Sequence, residues 1–293
     1  MEAPLPAYAS YEYFVVSSPS PFVAHVEINR PAKINAFSEA VWREFGRVFG
    51  QLSGDEDVRA VVLSGRGERG FSAGLDVQDA AGHEALGGQA GEAGEAGAVG
   101  RDAARRAKVL RRNVEEFQGC ISAMEKCEKP VIAVLHGVSI GLAIDIACCA
   151  DVRVCAADTR FAVKEVDIGL AADVGTLARL PKIVGSTSWV KEVCLLARDF
   201  DGAEALAAGF VSAVAADKAA ALAVALGMAG RMASKSPVAV QGTKELLNHA
   251  RDHATGDALR YTGVWNSVAL QAADFPAAIM SVLRKTRPTF AKL

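Results

Sequence analysis

The stretch KPVIAVLHGVSIGLAIDIACCADVRVC, residues 129–155, contains the alternation of apolar segments that decides the fold. Residues 130–135 are a short apolar run rich in β-branched side chains, which is typical of a buried strand. A helix is predicted from about Leu142 to Ala150, and residues 152–155 predict a second strand. Two strands with a helix between them indicate an α/β fold.

The same alternation continues on both sides of this stretch. Residues 11–16 and 22–28 predict two strands, Ser38 predicts the N-cap of a helix to about Leu52, and residues 58–63 predict a buried strand. A helix is expected at 101–126 and a short strand at 161–163. Beyond about residue 186 the chain is Ala-rich, and we expect helices with no comparable strand.

This pattern predicts two regions rather than independent domains. We expect an α/β core with an N-terminal extension over residues 1–200, and a helical region over residues 201–293. Residues 80–100 are rich in Gly, Ala and Glu with weak periodicity, and predict a flexible surface insert.

Composition excludes several classes of function. The chain has 293 residues, 51% hydrophobic, and a formal net charge of -2, so no global basic field would attract nucleic acid. No apolar run reaches the roughly 20 residues of a membrane span. The six cysteines have no CxxC spacing, and no His or Cys cluster has metal-ligand spacing, so buried thiols and no metal site are expected.

One motif has two interpretations. Residues 65–70 (GRGERG) match the G-x-G-x-x-G pattern of dinucleotide-binding folds, which requires a helix to begin there. The loop-like residues 71–76 (FSAGLD) follow instead, and they favour a glycine-rich turn.

Several short motifs occur in an order that resembles a known family. They are Asn29-Arg30-Pro31 with Asn35-Ala36, then FSAGLD at 71–76, KPVIA at 129–133, ADVR at 150–153, Leu180-Pro181 with Gly185, and KSPVA at 235–239. Together they resemble the crotonase (enoyl-CoA hydratase/isomerase) superfamily from about residue 11 to 285. The resemblance implies a ClpP-like spiral of repeated ββα units, a helical C-terminal trimerisation region, a homotrimer or homohexamer, and an acyl-CoA substrate.

The resemblance also implies an oxyanion hole for the thioester, made by the backbone N–H groups of Leu75 and Leu142. Fixed N–H donors stabilise negative charge where it develops on the thioester oxygen. Many relatives have three glycines where this chain has Gly141-Leu142-Ala143, so a positive φ at Leu142 would be strained. The implied CoA-binding residues are Lys33, Ala36, Phe37, Ala73 and Asp76. No separate cofactor is implied, since CoA is part of the substrate.

Three acids are the candidate catalytic residues: Asp145, Glu165 and Asp173. Asp145 and Asp173 lie in apolar stretches, where loss of solvent raises a carboxyl pKa towards the range of general acid–base use. The alternative interpretations are an ordinary helix residue for Asp145, an exposed loop acid for Glu165 and a helix N-cap for Asp173. Residues 163–176 (VKEVDIGLAADVGT) resemble the delta(3,5)-delta(2,4)-dienoyl-CoA isomerase branch of the family.

That branch shifts the double bonds of 3,5-dienoyl-CoA to give 2,4-dienoyl-CoA during β-oxidation of unsaturated fatty acids. A proton leaves C2 and another arrives at C6, so two carboxylates at the ends of the diene suit the reaction. We assign Glu165 and Asp173 to this pair, with Asp145 tuning or orienting Glu165. The sequence does not determine which acid faces C2; Asp173 at C2 is the preferred hypothesis.

Two other functions stay open at this point. Asp145 and Glu165 could hold a water in an enoyl-CoA hydratase, and a relative without catalysis could serve as a scaffold or RNA-binding module. The C-terminal Ala291-Lys292-Leu293 is similar to the Ser-Lys-Leu peroxisomal address. It predicts an import receptor as a partner and a location in the peroxisome or a related organelle such as the glycosome.

Overall fold

The computed structural model describes residues 5–82 and 102–293. The insert predicted at residues 80–100 falls almost entirely outside these ranges. The strands are β1 (Phe14–Ser20), β2 (Val23–Ile28), β3 (Ala60–Gly65), β4 (Gly70–Ser72), β5 (Val131–Leu135), β6 (Val138–Ile140), β7 (Val152–Ala156), β8 (Arg160–Ala162), β9 (Phe200–Asp201) and β10 (Ala213–Ala215).

Eleven α-helices are described among these residues. They are α1 (Glu39–Gly54), α2 (Val77–Gly82), α3 (Ala103–Lys126), α4 (Leu142–Cys149), α5 (Thr176–Ile183), α6 (Thr187–Leu196), α7 (Gly202–Ala207), α8 (Lys218–Ala233), α9 (Pro237–Asp252), α10 (Thr255–Ala269) and α11 (Asp274–Arg284). Short 3-10 helices lie at Pro6–Tyr8, Pro31–Lys33 and Glu165–Ile168. None of the described helices is long and apolar enough to cross a membrane.

Two sheets lie at the centre of the fold. The larger has the strand order β1-β2-β3-β5-β7-β10 and is parallel except for the β1–β2 pair. The smaller has the order β4-β6-β8-β9. The chain repeatedly places one strand in the larger sheet and the next in the smaller: β3 then β4, β5 then β6, β7 then β8. This is the predicted ββα spiral, and the prediction is confirmed.

The larger sheet is buried on both faces, which explains the apolar runs that predicted its strands. Leu63 and Leu135 belong to the core that also contains residues of α1 and α4. Val62 and Ile132 belong to the core on the opposite face, which α8 covers with alanines four residues apart: Ala221, Ala225, Ala229 and Ala233. Small side chains at this spacing let the helix lie close to the strands.

The packing does not follow the boundary expected at residue 200. Strand β10 pairs with β7 in parallel, and α8 covers the larger sheet, so the α/β core extends to Ala233. The expectation of no comparable strand beyond residue 186 is wrong, because β10 is too short to stand out in an Ala-rich stretch.

The glycine-rich segment at residues 65–70 is a turn between β3 and β4. This agrees with the interpretation as a turn and not with the interpretation as a dinucleotide-binding motif. A methyl group on Gly70 would lie 2.5 Å from the carbonyl oxygen of Val138, so a side chain is excluded there by neighbouring backbone. No helix begins after this segment; β4 follows. Each of the six cysteines is a free thiol.

Candidate active site

A largely apolar cavity of about 130 Å³ lies between the smaller sheet and helices α3 and α4. Its lining residues come from separate parts of the chain: Ala73, Leu75, Val77, Phe117, Ile140, Gly141, Leu142, Asp145, Lys164, Glu165, Ile168, Leu170, Asp173 and Val174. All three candidate acids and both leucines predicted for the oxyanion hole are among them. The structure thus brings together residues that are nearly 100 positions apart in the sequence.

Two glycine turns form one wall of this cavity. Gly74 has φ +87° and Gly141 has φ +57°, conformations that favour glycine over any other residue. The turns touch each other: a methyl group on Gly74 would lie 2.8 Å from the Ile140 carbonyl oxygen and 3.3 Å from the backbone nitrogen of Leu142. Contact at this distance fixes Leu75 and Leu142 side by side.

The backbone N–H groups of Leu75 and Leu142 remain available within the part of the chain that the structure describes. Phe37 donates to the Gly74 carbonyl (2.8 Å) and Asp76 donates to the Phe37 carbonyl (2.9 Å), so the hydrogen bonds of this bridge go to the residues on either side of Leu75 and leave the Leu75 N–H unused. Leu142 is the first residue of α4, where an N–H has no acceptor inside the helix.

The strain anticipated at Leu142 does not arise. The positive φ falls on Gly141, which precedes α4, and Leu142 is already helical. A single glycine therefore suffices for this turn.

Glu165 stands beside these N–H groups. It begins the 3-10 helix Glu165–Ile168, and its Oε1 lies 3.6 Å from the position of a methyl group on Gly141. Its Oε2 is buried without a hydrogen-bond partner. Burial, followed by the negative charge of Asp145, raises the pKa of Glu165 to about 7. A carboxyl with this pKa can both release and accept a proton at neutral pH.

Asp145 lies behind Glu165, in α4, and is 2% exposed. Its Oδ1 accepts the backbone N–H of Thr176 at 2.6 Å, which ties α4 to the first residue of α5. Burial raises the pKa of Asp145 to about 6, although the Thr176 hydrogen bond acts in the opposite direction. Asp145 therefore influences Glu165 through charge, while its hydrogen bond holds the segment that carries Asp173.

Asp173 borders the same cavity from the loop before α5. The residue as a whole is exposed, yet the surrounding protein removes enough solvent from its carboxyl to raise the pKa. Gln118 of α3 donates its side-chain N–H to the Asp173 carbonyl at 2.5 Å. The N-cap position of α5 is Gly175, so the interpretation of Asp173 as a helix N-cap is wrong.

The residues predicted to bind CoA divide into two groups. Ala73 lines the cavity, and Lys33 is exposed, with its Nζ donating to Gln78 Oε1 at 2.7 Å. Ala36, Phe37 and Asp76 are buried, and their contacts brace the loop.

The structure places Phe37 in the core behind the loop. Its ring is fully buried against other core phenylalanines, and both its N–H and its carbonyl are used by the bridge to residues 74–76. The Ala36 carbonyl accepts from Arg30 (2.5 Å), and the Asp76 carboxylate pairs with Arg30 (3.2 Å). These three residues therefore support the cavity wall, because their polar groups are already taken by the protein.

Sequence reasoning missed the side chains that enclose the cavity. Phe117 of α3, which stacks on Trp42, is one; Ile168, Leu170 and Val174 are others. An apolar residue on a predicted helix or loop carries no signal that separates a cavity wall from ordinary core. For Ile168, Leu170 and Val174, the sequence signal was their position within residues 163–176, the segment that resembles the isomerase branch.

Replacing Asp145 with asparagine is expected to stabilise the protein at neutral pH. Raising the pKa of a 2% exposed carboxyl from 3.8 to about 6 means that ionisation destabilises the fold. The penalty appears as pH rises from about 4 through 6 and amounts to about 3 kcal/mol. Asparagine avoids it, and its Oδ1 can still accept the Thr176 N–H. Urea unfolding at two pH values measures the gain.

The gain should vanish below pH about 4, where the native carboxyl is protonated and uncharged. Asp158→Asn is the matched control, since Asp158 is exposed in a turn. Its effect should stay within about 0.5 kcal/mol at any pH. Equal gains for the two variants, or a gain for Asp145→Asn that persists in acid, would contradict the burial argument.

Comparisons with known proteins point to one family. The family model described as Enoyl-CoA hydratase/isomerase matches residues 23–229. The chain is similar to the mitochondrial delta(3,5)-delta(2,4)-dienoyl-CoA isomerase of Mus musculus, with 43% identity over 97% of this chain and 84% of the relative. It is 37% identical to the peroxisomal enzyme of the same name from Arabidopsis thaliana, over 92% and 93% of the two chains. A putative enoyl-CoA hydratase from Streptomyces coelicolor superimposes with a TM-score of 0.81 at 28% identity, over 98% and 96% of the chains.

Proposed function

The chain belongs to the enoyl-CoA hydratase/isomerase family, and on this premise we propose that it converts 3,5-dienoyl-CoA to 2,4-dienoyl-CoA. The observation that carries the proposal is the pair of carboxyls, Glu165 and Asp173, on one apolar cavity beside two available N–H groups. The relatives named delta(3,5)-delta(2,4)-dienoyl-CoA isomerase, at 37–43% identity over most of the chain, support it.

The geometry suggests how the substrate lies. The thioester oxygen would accept hydrogen bonds from the N–H groups of Leu75 and Leu142, and the partial positive charge at the start of α4 adds to their effect. Since Glu165 Oε1 adjoins Gly141, it is the acid nearest the thioester carbonyl and therefore nearest C2. Asp173, on the opposite part of the lining, then serves C6. This replaces the hypothesis that placed Asp173 at C2.

The proton balance follows from this placement. The Glu165 carboxylate removes a proton from C2, and the electron pair spreads through the diene onto the thioester oxygen. Protonated Asp173 gives a proton to C6, which leaves double bonds at C2–C3 and C4–C5. The N–H groups stabilise the enolate between the two steps, so each transition state benefits from them. No separate cofactor takes part, since CoA belongs to the substrate.

The test compares two substrates. The protein should convert 3,5-dienoyl-CoA, followed through the absorbance of the conjugated product, and Asp173→Asn should abolish most of that activity. Hydration of 2-enoyl-CoA that is indifferent to Asp173→Asn would instead support an enoyl-CoA hydratase using Asp145 and Glu165. RNA retention without turnover of either thioester would support a non-catalytic role.

The rate should depend on pH through a single shared proton. The competent form has Glu165 ionised and Asp173 protonated, so its population follows that of the state with one proton on the Glu165–Asp173 pair. We expect kcat/KM to follow a bell, falling on the alkaline side near the raised pKa of Glu165, about 7. The acid limb should lie above the ordinary aspartate range, because the pKa of Asp173 is raised by burial. A profile flat through neutral pH would contradict this assignment.

We also propose that the chain works as a homotrimer or homohexamer. Large apolar side chains of α10 and α11 are exposed in the single chain: Leu259 67%, Val264 64%, Val268 71%, Val282 74% and Leu283 71%. Large apolar side chains exposed together on neighbouring helices are typical of protein interfaces. Sedimentation equilibrium should give a mass three or six times that of the chain; a monomer would refute the proposal.

The location we propose is the peroxisome or a related organelle such as the glycosome. Relatives are named as peroxisomal in Arabidopsis thaliana and mitochondrial in Mus musculus, so the family occurs in both. The terminal Ala291-Lys292-Leu293 is the feature of this chain that supports the choice, with Leu293 52% exposed for an import receptor. A fluorescent fusion should lose its organelle on removal of these three residues; unchanged location would exclude the peroxisomal route.

A further inference from the structure

A second cavity lies directly behind the first. It has a volume of about 370 Å³ and shares the Asp173–Val174 segment with the first cavity. Its other walls include Gln118, Ala178, Arg179 and Lys182. Ala178 and Lys182 are exposed, so this cavity opens to solvent on the side of α5 and α9. Asp173 therefore lies between the first cavity, which we call the acyl cavity, and the second cavity, which opens to solvent.

The two carboxyls differ in their access to solvent. Glu165 lines only the acyl cavity among those described, and its Oε2 is buried without a partner. Asp173 is exposed and borders both cavities. A bound acyl chain would fill the first cavity and cover Glu165, whereas it would leave the second face of Asp173 in water.

The reaction creates a need for this difference. Each forward turnover leaves Glu165 with the proton from C2 and Asp173 without the proton given to C6. The pair must be restored before the next turnover, with one proton lost and one gained. We propose that the second cavity is a proton port, through which Asp173 regains its proton from solvent independently of the substrate entrance. This inference rests on the proposed isomerase function.

The charges around the port suit a group that must change its protonation state. Arg179 and Arg251 share Glu125, at 2.8 and 2.5 Å, and Lys182 and Arg251 share Asp252, so each of these cations is already paired with another acid. Among the described residues, no cation forms an ion pair with Asp173. A paired cation would keep Asp173 ionised and would oppose its reprotonation. Water that enters the port therefore meets a carboxyl free to take up a proton.

Turnover in D2O tests the inference. Enzyme equilibrated in H2O is mixed with 3,5-dienoyl-CoA in excess D2O, and the product is analysed by mass spectrometry and NMR. We expect deuterium at C6 from the first turnovers, because Asp173 exchanges through the port. Product that carries the C2 protium at C6 would overturn the port alone. Absence of any diene conversion would overturn the proposed function as well.

A variant that fills the port gives the second measurement. Ala178→Trp places a large side chain at an exposed position of α5 that lines only the second cavity. We expect kcat to fall roughly tenfold, a fraction of the full 10²–10⁴-fold effect of a catalytic proton transfer. The solvent isotope effect on kcat should rise while KM stays unchanged.

Ala219→Trp is the matched control, because Ala219 is exposed in α8 and lines none of the described cavities. Ala178→Leu serves the same purpose as Ala178→Trp if the larger side chain prevents folding. The port is overturned if the Ala178 variants fold normally and match Ala219→Trp in both kcat and the solvent isotope effect.

Discussion

Glu165→Gln is expected to lower kcat for 3,5-dienoyl-CoA by about 10²- to 10⁴-fold, the range that a positioned general base contributes. Glutamine keeps the shape of the side chain but cannot take the proton from C2. The burial that raises the pKa of Glu165 to about 7 makes the native group a stronger base than an ordinary glutamate. KM should change little, since the carboxyl has no part in holding CoA. Steady-state kinetics with purified variants measures both.

Asp167→Asn provides the matched control for this substitution. Asp167 lies in the same 3-10 helix two residues later, is exposed, and pairs with Lys164 at 3.3 Å across the surface. Its replacement should leave kcat within about twofold, because an exposed ion pair contributes little. The role of Glu165 would be refuted if its variant retained more than a tenth of native kcat, or if Asp167→Asn lost as much.

The sequence could predict the ββα spiral because each strand of the larger sheet carries its own signal. Residues 130–135 are apolar throughout since both faces of the sheet are covered, one by α4 and the other by α8. Strand β10 could not be predicted in the same way. Its three residues, Ala213–Ala215, have no β-branched run and owe their conformation to pairing with β7.

The resemblance to the family, and that of residues 163–176 to the isomerase branch, singled out the acids of the site, and the apolar runs added that an isolated carboxyl there is costly unless it has a use. Asp145 and Asp173 both satisfy this rule, and the structure brings them to one cavity with Glu165. Which acid faces C2 could not be predicted. That depends on the contact between Glu165 and the turn at Gly141, which sequence neighbours do not encode.

The same limit applies to the surroundings of Phe37. Its position in a loop after Asn35-Ala36 suggested a ligand contact, whereas its ring packs into the core against Phe14 and Phe45. An aromatic residue in a loop is compatible with either environment, so only the three-dimensional packing separates them. The second cavity behind Asp173 was missed for a similar reason, since it forms between helices that are distant in sequence.

Gly74→Ala should remove most activity although it changes no side chain that reacts. A methyl group there would lie 2.8 Å from the Ile140 carbonyl oxygen, and φ is +87°, so the turn must shift. The neighbouring backbone at Ile140 and Leu142 can move only at a large cost in free energy. Its displacement would change the positions of the Leu75 and Leu142 N–H groups relative to each other. We expect kcat/KM to fall by about 10²- to 10³-fold, as for loss of one oxyanion-hole donor.

The control separates a damaged site from a damaged fold. Gly227 lies in the exposed face of α8 with nothing within 4 Å of an added methyl group. Gly227→Ala should keep full activity and raise stability by about 0.5–1 kcal/mol, the helix preference for alanine. If folded Gly74→Ala keeps native kcat/KM, the thioester oxygen is not held by the N–H groups of Leu75 and Leu142. If Gly74→Ala loses activity while its denaturation midpoint shows that it is fully folded under assay conditions, the reaction requires the placement of those two donors.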